Sequence, residues 1–182
     1  PPDKILFQTR LWDPSEAPSE DKAAQWAQLN KFRIQCAGAL RAAFPDHFIG
    51  GIAPTPLARR TCPVALLIDP RASRKAAYFK RLRQTTAIGI TSTGLHGSIG
   101  WKFAEYVAFS MPILSEPPGH LLPGNPNESH HYYSFASVDE LIEKTESLIR
   151  HPDKAIKMSQ NNQNYYRDYL EPEQLARRVL GL

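Results

Sequence analysis

The sequence predicts an α/β fold, a parallel sheet with helices on both faces and a helical C-terminal tail, and three observations carry that prediction. Short apolar runs alternate with longer stretches in which apolar residues recur every three or four positions, the periods of buried strand and packed helix. Polar and glycine residues collect where the runs end. Beyond Ser137 the pattern is helical only, and no internal repeat is visible.

The elements follow in order. Lys4 to Thr9 (KILFQT) reads as a buried parallel strand with Arg10 at its carboxyl end, where ligands bind in open α/β sheets. The loop from Trp12 to Glu20 is rich in proline, serine and acid and is expected to be irregular. From Asp21 to Phe44, Trp26, Leu29, Phe32, Cys36 and Leu40 mark a helix with Asp21 as its cap and Pro45 as its stop. His47 to Ile52 is a second strand, loosened at its end by Gly50 and Gly51. A proline-punctuated connection, Ala53 to Pro63, leads to a third apolar run, Val64 to Ile68 (VALLI), which Asp69-Pro70 ends before a helix from Ser73 to Gln84. Thr86 to Thr91 is the next strand. After the glycine-bearing stretch described below, Pro112 to Leu114 forms another apolar run. Glu116 to His131 is too rich in proline, glycine and asparagine for a regular element and reads as a lid or binding loop. Tyr132 to Phe135 is a short final strand. Ser137-Val-Asp-Glu140 has the form of a capping box opening a helix with Leu141, Ile142, Thr145, Leu148 and Ile149 inward. Pro152 separates it from a helix through Leu170, and a last helix runs from Pro172 to Leu180.

With 182 residues, 42% hydrophobic and 22% charged, the chain can bury one full core and reads as a single domain spanning 1–182. Its opening Pro1-Pro2-Asp3, with an apolar run almost at once, is expected of a fragment of a longer chain. The net charge of +4 would suit a polynucleotide or a small anion. Its densest cluster, Arg71, Arg74, Lys75, Lys80, Arg81 and Arg83, is expected to be the solvated face of a helix whose apolar side holds Ala77, Tyr78 and Leu82, so a nucleic-acid partner is not expected. Two cysteines, Cys36 and Cys62, build no disulfide framework, and metal-ligand spacing is absent. No apolar stretch approaches the ~20 residues of a membrane span. The expected location is cytoplasmic, with membrane association through the longer parent protein.

The chemistry concentrates between Thr91 and Glu116. Gly94, Gly97 and Gly100 allow a tight turn and close approach of a ligand, and a helix starting near Ser98 would aim free amides and the positive end of its dipole at an anion. Lys102 and Glu105, three residues apart, share a helix face, with Ile99, Phe103, Tyr106 and Val107 forming the apolar stripe around from them. The bland alternative is an exposed ion pair contributing about 0.2–1 kcal/mol. His96 and His120 fall near the same stretch. His130 and His131, adjacent in a polar loop, read as exposed residues rather than a metal pair.

Trp101-Lys-Phe-Ala-Glu-Tyr-Val-Ala-Phe-Ser-Met-Pro-Ile-Leu114 and Phe135-Ala-Ser-Val-Asp-Glu-Leu141 with Ile149-Arg-His-Pro152 resemble the C-terminal, donor-binding domain of GT-B glycosyltransferases, the group 1-like enzymes and their spore-maturation-type relatives. About thirty residues are motif-like, although the order of elements matches nearly throughout. The resemblance implies a Rossmann-like lobe that binds a nucleotide-diphosphate sugar, in glycan biosynthesis, for transfer to an acceptor (glycan, lipid or protein) held by an N-terminal domain. It implies Glu105 on the ribose hydroxyls, the Gly97, Ser98 and Ile99 backbone on the diphosphate, Arg10 neutralising it, and Lys102 contacting phosphate or orienting Glu105. It implies no cofactor and no metal, because basic side chains and helix amides stabilise the departing diphosphate. The sequence departs from the family pattern in two places. Many members carry an acid eight positions before the matching glutamate, where Gly97 stands. The usual glycine before the proline is Met111, with Ser110 preceding it, so that turn must form without glycine's freedom. The alternative is a catalytically inactive Rossmann-like nucleotide-binding or interaction module.

Overall fold

A computed structural model describes residues 2–181, so the expected domain limits at Pro1 and Leu182 lie outside the described residues. The chain divides into two compact units, a first from Lys4 to Thr85 and a second from Thr86 onward that includes Asp3. Each combines parallel strands with helices, the α/β class the sequence predicts.

In the first unit, β1 (Lys4–Thr9) buries its last five residues, as a continuous apolar run must when both of its faces are covered. It pairs in parallel with β2 (Phe48–Ile52), from Ile5 opposite Phe48 to Thr9 opposite Ile52. Gly50 and Gly51 are not a loosened end. Both lie inside β2 at φ 112° and 131°, and a side chain on either would run into backbone, the Phe7 carbonyl for Gly50 and the Leu66 carbonyl for Gly51.

Helix α1 (Glu20–Ala43) starts one residue before the expected cap, because Ser19 rather than Asp21 accepts from the Lys22 amide. Its buried positions are Asn30, Arg33, Cys36, Ala37 and Leu40. Two of these are polar and invisible to apolar periodicity. Asn30 brackets Trp12, accepting from its amide at 2.9 Å and donating to its carbonyl at 2.6 Å. Arg33, 6% exposed, donates to the Arg10 carbonyl at 2.6 Å. The stretch after β1 is therefore bracketed by a helix, and it contains a short helical turn at Pro14–Glu16 capped by Asp13.

The third apolar run is not a strand. Val64–Leu66 forms a 3-10 turn, and only Leu67 bridges Ile52. Proline before the run and Asp69-Pro70 after it leave too little extended chain to pair. The connection before it contains a short helix, α2 (Pro56–Thr61), capped by Thr55. Helix α3 (Lys75–Gln84) buries Tyr78 and Leu82 as its pattern predicts.

In the second unit, β3 (Ala87–Thr91) pairs in parallel with β4 (Ile113–Ser115), and β4 with the two-residue β5 (Tyr133–Ser134). Between β3 and β4 lies α4 (Trp101–Ala108), which buries Phe103, Tyr106 and Val107. Helix α5 (Val138–Arg150) opens as expected on Ser137, whose hydroxyl accepts from the Glu140 amide at 3.2 Å. The Glu140 carboxylate reaches back to the Ala136 amide, and that bond, with Lys144 beside it, holds its pKa below the usual value. Helix α6 (Pro152–Tyr165) ends earlier than expected, giving way to a π-helical turn at Tyr166–Leu170 before α7 (Pro172–Leu180). Among the described residues no helix is long and apolar enough to cross a membrane.

Candidate functional site

The site is built on β3. All five of its residues are buried, and at its midpoint Gly89 leaves room for the Tyr106 ring, which would sit 2.6 Å from a side-chain carbon placed there. The Tyr106 hydroxyl donates to the Ile90 carbonyl at 3.4 Å. This contact seats α4 against the strand, and the helix in turn fixes where its first turn begins.

Between strand and helix the chain makes a closed turn. The Gly94 amide donates to the Ser98 carbonyl at 2.7 Å and the Ser98 amide to the Leu95 carbonyl at 3.2 Å. His96 and Gly97 both take left-handed backbone, at φ 60° and 64°. Gly97 is exposed, and a side-chain carbon on it would meet nothing within 4 Å.

The helix starts at Trp101, three residues later than the pattern predicts, with Gly100 as its N-cap. The physical reason is the turn itself, which commits the Ser98 amide to Leu95 and leaves extended chain through Gly100. A side chain at Gly100 would press on Thr91 Oγ1 and the Ser92 carbonyl at 3.0 and 3.1 Å, so the helix has no side-chain cap of its own. Lys102 and Glu105 are both half-buried on α4, and Trp101 is 87% exposed at its first position.

Glu116 is a residue that sequence reasoning placed only as the first of the 116–131 lid or binding loop. Its carboxylate accepts from the Thr93 amide at 2.8 Å and the Thr93 hydroxyl at 3.2 Å, while its own amide donates to the Thr91 carbonyl at 3.2 Å. The strand register explains this: Thr91 faces Ser115, so the residue just past β4 falls beside the start of the glycine turn. An acid at the carboxyl end of a central strand was the available signal.

The 116–131 stretch follows. Gly119 passes against Gly97, with room for no side chain, since one would come within 2.6 Å of the Gly97 carbonyl oxygen. Farther along, Tyr165 donates to the Pro123 carbonyl at 2.7 Å, Asn161 to the His130 carbonyl at 2.9 Å, and Asn162 to the Met111 and His131 carbonyls at 2.7 and 2.9 Å. Burial of Tyr165 pushes its hydroxyl up to about 12. Nδ1 of His131 accepts from the Asn127 amide at 2.9 Å, and its ring lies 5.3 Å from that of Tyr165. The stretch has no regular element apart from a bridge between Glu128 and Tyr132, as its composition predicts, but α6 side chains fasten it at several carbonyls.

The second unit thus brings Gly97, Ser98, Ile99, Lys102 and Glu105 into one strand–turn–helix. Arg10 belongs to the first unit, where it is exposed just beyond β1. The turn after α4 confirms the expectation that it forms without glycine: Ser110 itself adopts φ 53° and donates its amide to the Val107 carbonyl at 2.8 Å.

No protein-family model matches the sequence, and no curated protein matches it. Among solved structures, the chain is similar to the C-terminal domain of a glycosyl transferase group 1 family protein (LpcC) from Francisella tularensis, with 14% sequence identity, a TM-score of 0.52, and coverage of 90% of this chain and 86% of that one. At that identity the likeness is one of fold, and the fold is the Rossmann-like α/β class that the order of elements predicts.

Proposed function

We propose that the chain is the donor-binding C-terminal lobe of a GT-B glycosyltransferase, which takes a nucleotide-diphosphate sugar and passes the sugar to an acceptor held by an N-terminal lobe. The observation that carries this reading is the strand–turn–helix itself. An exposed glycine with open space above it precedes a helix without a side-chain cap, and that helix bears a lysine and a glutamate on one face. A diphosphate suits the turn and the helix amides, whose dipole favours negative charge. Two adjacent ribose hydroxyls suit Glu105, whose two oxygens each accept a hydrogen bond. Lys102, one turn earlier on the same helix, supplies a cation for the phosphate or fixes the Glu105 carboxylate. In the transfer step these groups would stabilise charge growing on the leaving diphosphate without requiring a metal.

The likeness to the group 1 glycosyl transferase domain supports the reading as far as fold goes. The test is isothermal titration of the chain with a panel of nucleoside diphosphates and their sugars. Binding is expected, and Glu105→Ala is expected to weaken it at least tenfold, because hydrogen bonds to a charged group contribute about 1.5–3 kcal/mol. A folded protein that binds none of the panel, or that binds it unchanged after the substitution, sinks the assignment. Arg10→Ala tests separately the neutralising role expected of Arg10.

A second reading, a lobe that binds nucleotide or a partner but supports no transfer, is favoured by one feature. Gly97 stands where many of the enzymes that the sequence resembles carry an acid, and it presents no side chain to a donor sugar. Turnover of any sugar nucleotide by this lobe joined to its acceptor-binding partner removes that reading.

A further inference from the structure

The two units carry opposite charge. The first holds fourteen lysines and arginines against six acids, net +8, and the second eight against twelve, net −4. Within the first unit the excess is local. From Pro56 to Thr85 there are eight cationic side chains and a single acid, Asp69, whose carboxylate is occupied by the Arg71 and Ala72 amides of its own turn. Arg59, Arg71, Arg74, Lys80 and Arg83 are all exposed.

In sequence, an apolar tip lies among these cations. Pro63, Val64 and Ala65 are exposed consecutively, and Val64 is 82% exposed in a turn flanked in sequence by Arg60 and Arg71. Three successive exposed apolar residues gain nothing from water. They gain from an interface that is anionic at its surface and apolar just beneath, which is the profile of a bilayer headgroup region. A polynucleotide would instead call for exposed rings to stack on bases. The aromatic residues of this segment do not supply them, since Tyr78 is buried and the Phe79 ring has Lys75 over it at 5.7 Å.

We propose that the 56–85 segment of the first unit docks on the surface of an anionic lipid bilayer, with the Pro63-Val64-Ala65 turn as its apolar contact and the segment's exposed arginines and lysines on the headgroups. Long arginine and lysine stems suit this, because they lie along apolar surface while their charges stay at the headgroup level. The inference does not rest on the donor site, and a chain that binds no nucleotide would still dock.

Flotation of the whole chain with phosphatidylcholine vesicles, with and without about a third of phosphatidylglycerol, tests it. Binding is expected only with phosphatidylglycerol and is expected to fall as salt rises, as screening shortens the reach of each charge. Combined Arg71→Gln, Lys80→Gln and Arg83→Gln should cut partitioning roughly a hundredfold, about fivefold per cation, equivalent to about 1 kcal/mol each. Val64→Ser should reduce it about fivefold by removing apolar burial without touching charge. All four positions are exposed, so unchanged circular dichroism and thermal midpoints are expected and serve as the folding control. No binding to phosphatidylglycerol vesicles overturns the proposal. So does indifference to Val64→Ser, or tighter binding to duplex DNA than to vesicles at the same salt.

Discussion

Gly51 and Gly97 both take positive φ, one in each unit, and they do opposite things with the freedom. Gly51 is buried inside β2, and the backbone of the Val64–Leu66 turn comes so close that any side chain would strike the Leu66 carbonyl. Gly97 is exposed, with nothing within 4 Å of where its side chain would be. One glycine is spent on packing, and the other has open space where its side chain would be, although Gly119 passes its carbonyl. The difference separates a backbone rule that serves the fold from one that leaves space for something else.

The comparison makes its largest prediction on stability. Gly51→Ala places a carbon against a backbone oxygen that cannot swing aside, so it should cost about 3 kcal/mol or more, in the range where overpacking and backbone incompatibility combine. Gly97→Ala meets no atom and should cost only the left-handed penalty of about 1–2 kcal/mol. Urea unfolding of both variants gives the two values. Equal losses would erase the distinction, and with it the reason for regarding the space above Gly97 as available to a ligand.

Ser110 sharpens the same contrast from the other side. Here a residue with a side chain occupies left-handed backbone, at φ 53°, just past the end of α4. Helices most often place glycine at this position. Ser110→Gly relieves the penalty and should raise stability by about 1 kcal/mol, seen as a later urea midpoint with an unchanged slope. A destabilised variant would mean that the serine side chain contributes more than its backbone costs.

The strands and helices were legible where one period ran uninterrupted: KILFQT, the 20–43 helix and the Ser137 capping box each combine a local rule with a burial pattern. Val64–Ile68 was not legible, because five apolar residues satisfy the composition of a strand whether or not an edge is there for them to pair with. Asn30, Arg33 and Asn162 were missed for a different reason. Each is a polar residue buried to satisfy carbonyls far away in sequence, and hydrophobic periodicity gives such residues no weight. The site divides along the same line. Glycine spacing and the Lys102–Glu105 interval are local and could be read directly. The tie between Thr93 and Glu116 needs the register of β3 on β4, which no linear pattern contains.

The smallest effect belongs to His131, and it probes how firmly the second unit holds its long irregular stretch. Burial pushes the His131 pKa below the usual 6.5, the Asn127 backbone works against that shift, and His130 nearby adds to it. In the neutral ring Nδ1 accepts from the Asn127 amide at 2.9 Å. A protonated Nδ1 would face the Asn127 carbonyl at 3.3 Å, which is why Asn127 only partly offsets the effect of burial. The folded pKa is the lower one, so the unfolded chain takes up its proton first as pH falls. The stabilisation is complete above the usual imidazole range, declines as pH drops below 6.5, and levels off once the folded ring is protonated too. Glu140, also lowered, acts in the carboxylate range and leaves that window separate. Unfolding free energies measured between about pH 7 and 5 should therefore fall in the native chain and fall less steeply in His131→Ala. Parallel slopes would show that the 116–131 stretch is held by Asn161, Asn162 and Tyr165 without help from the ring, and that its attachment to α6 is indifferent to pH.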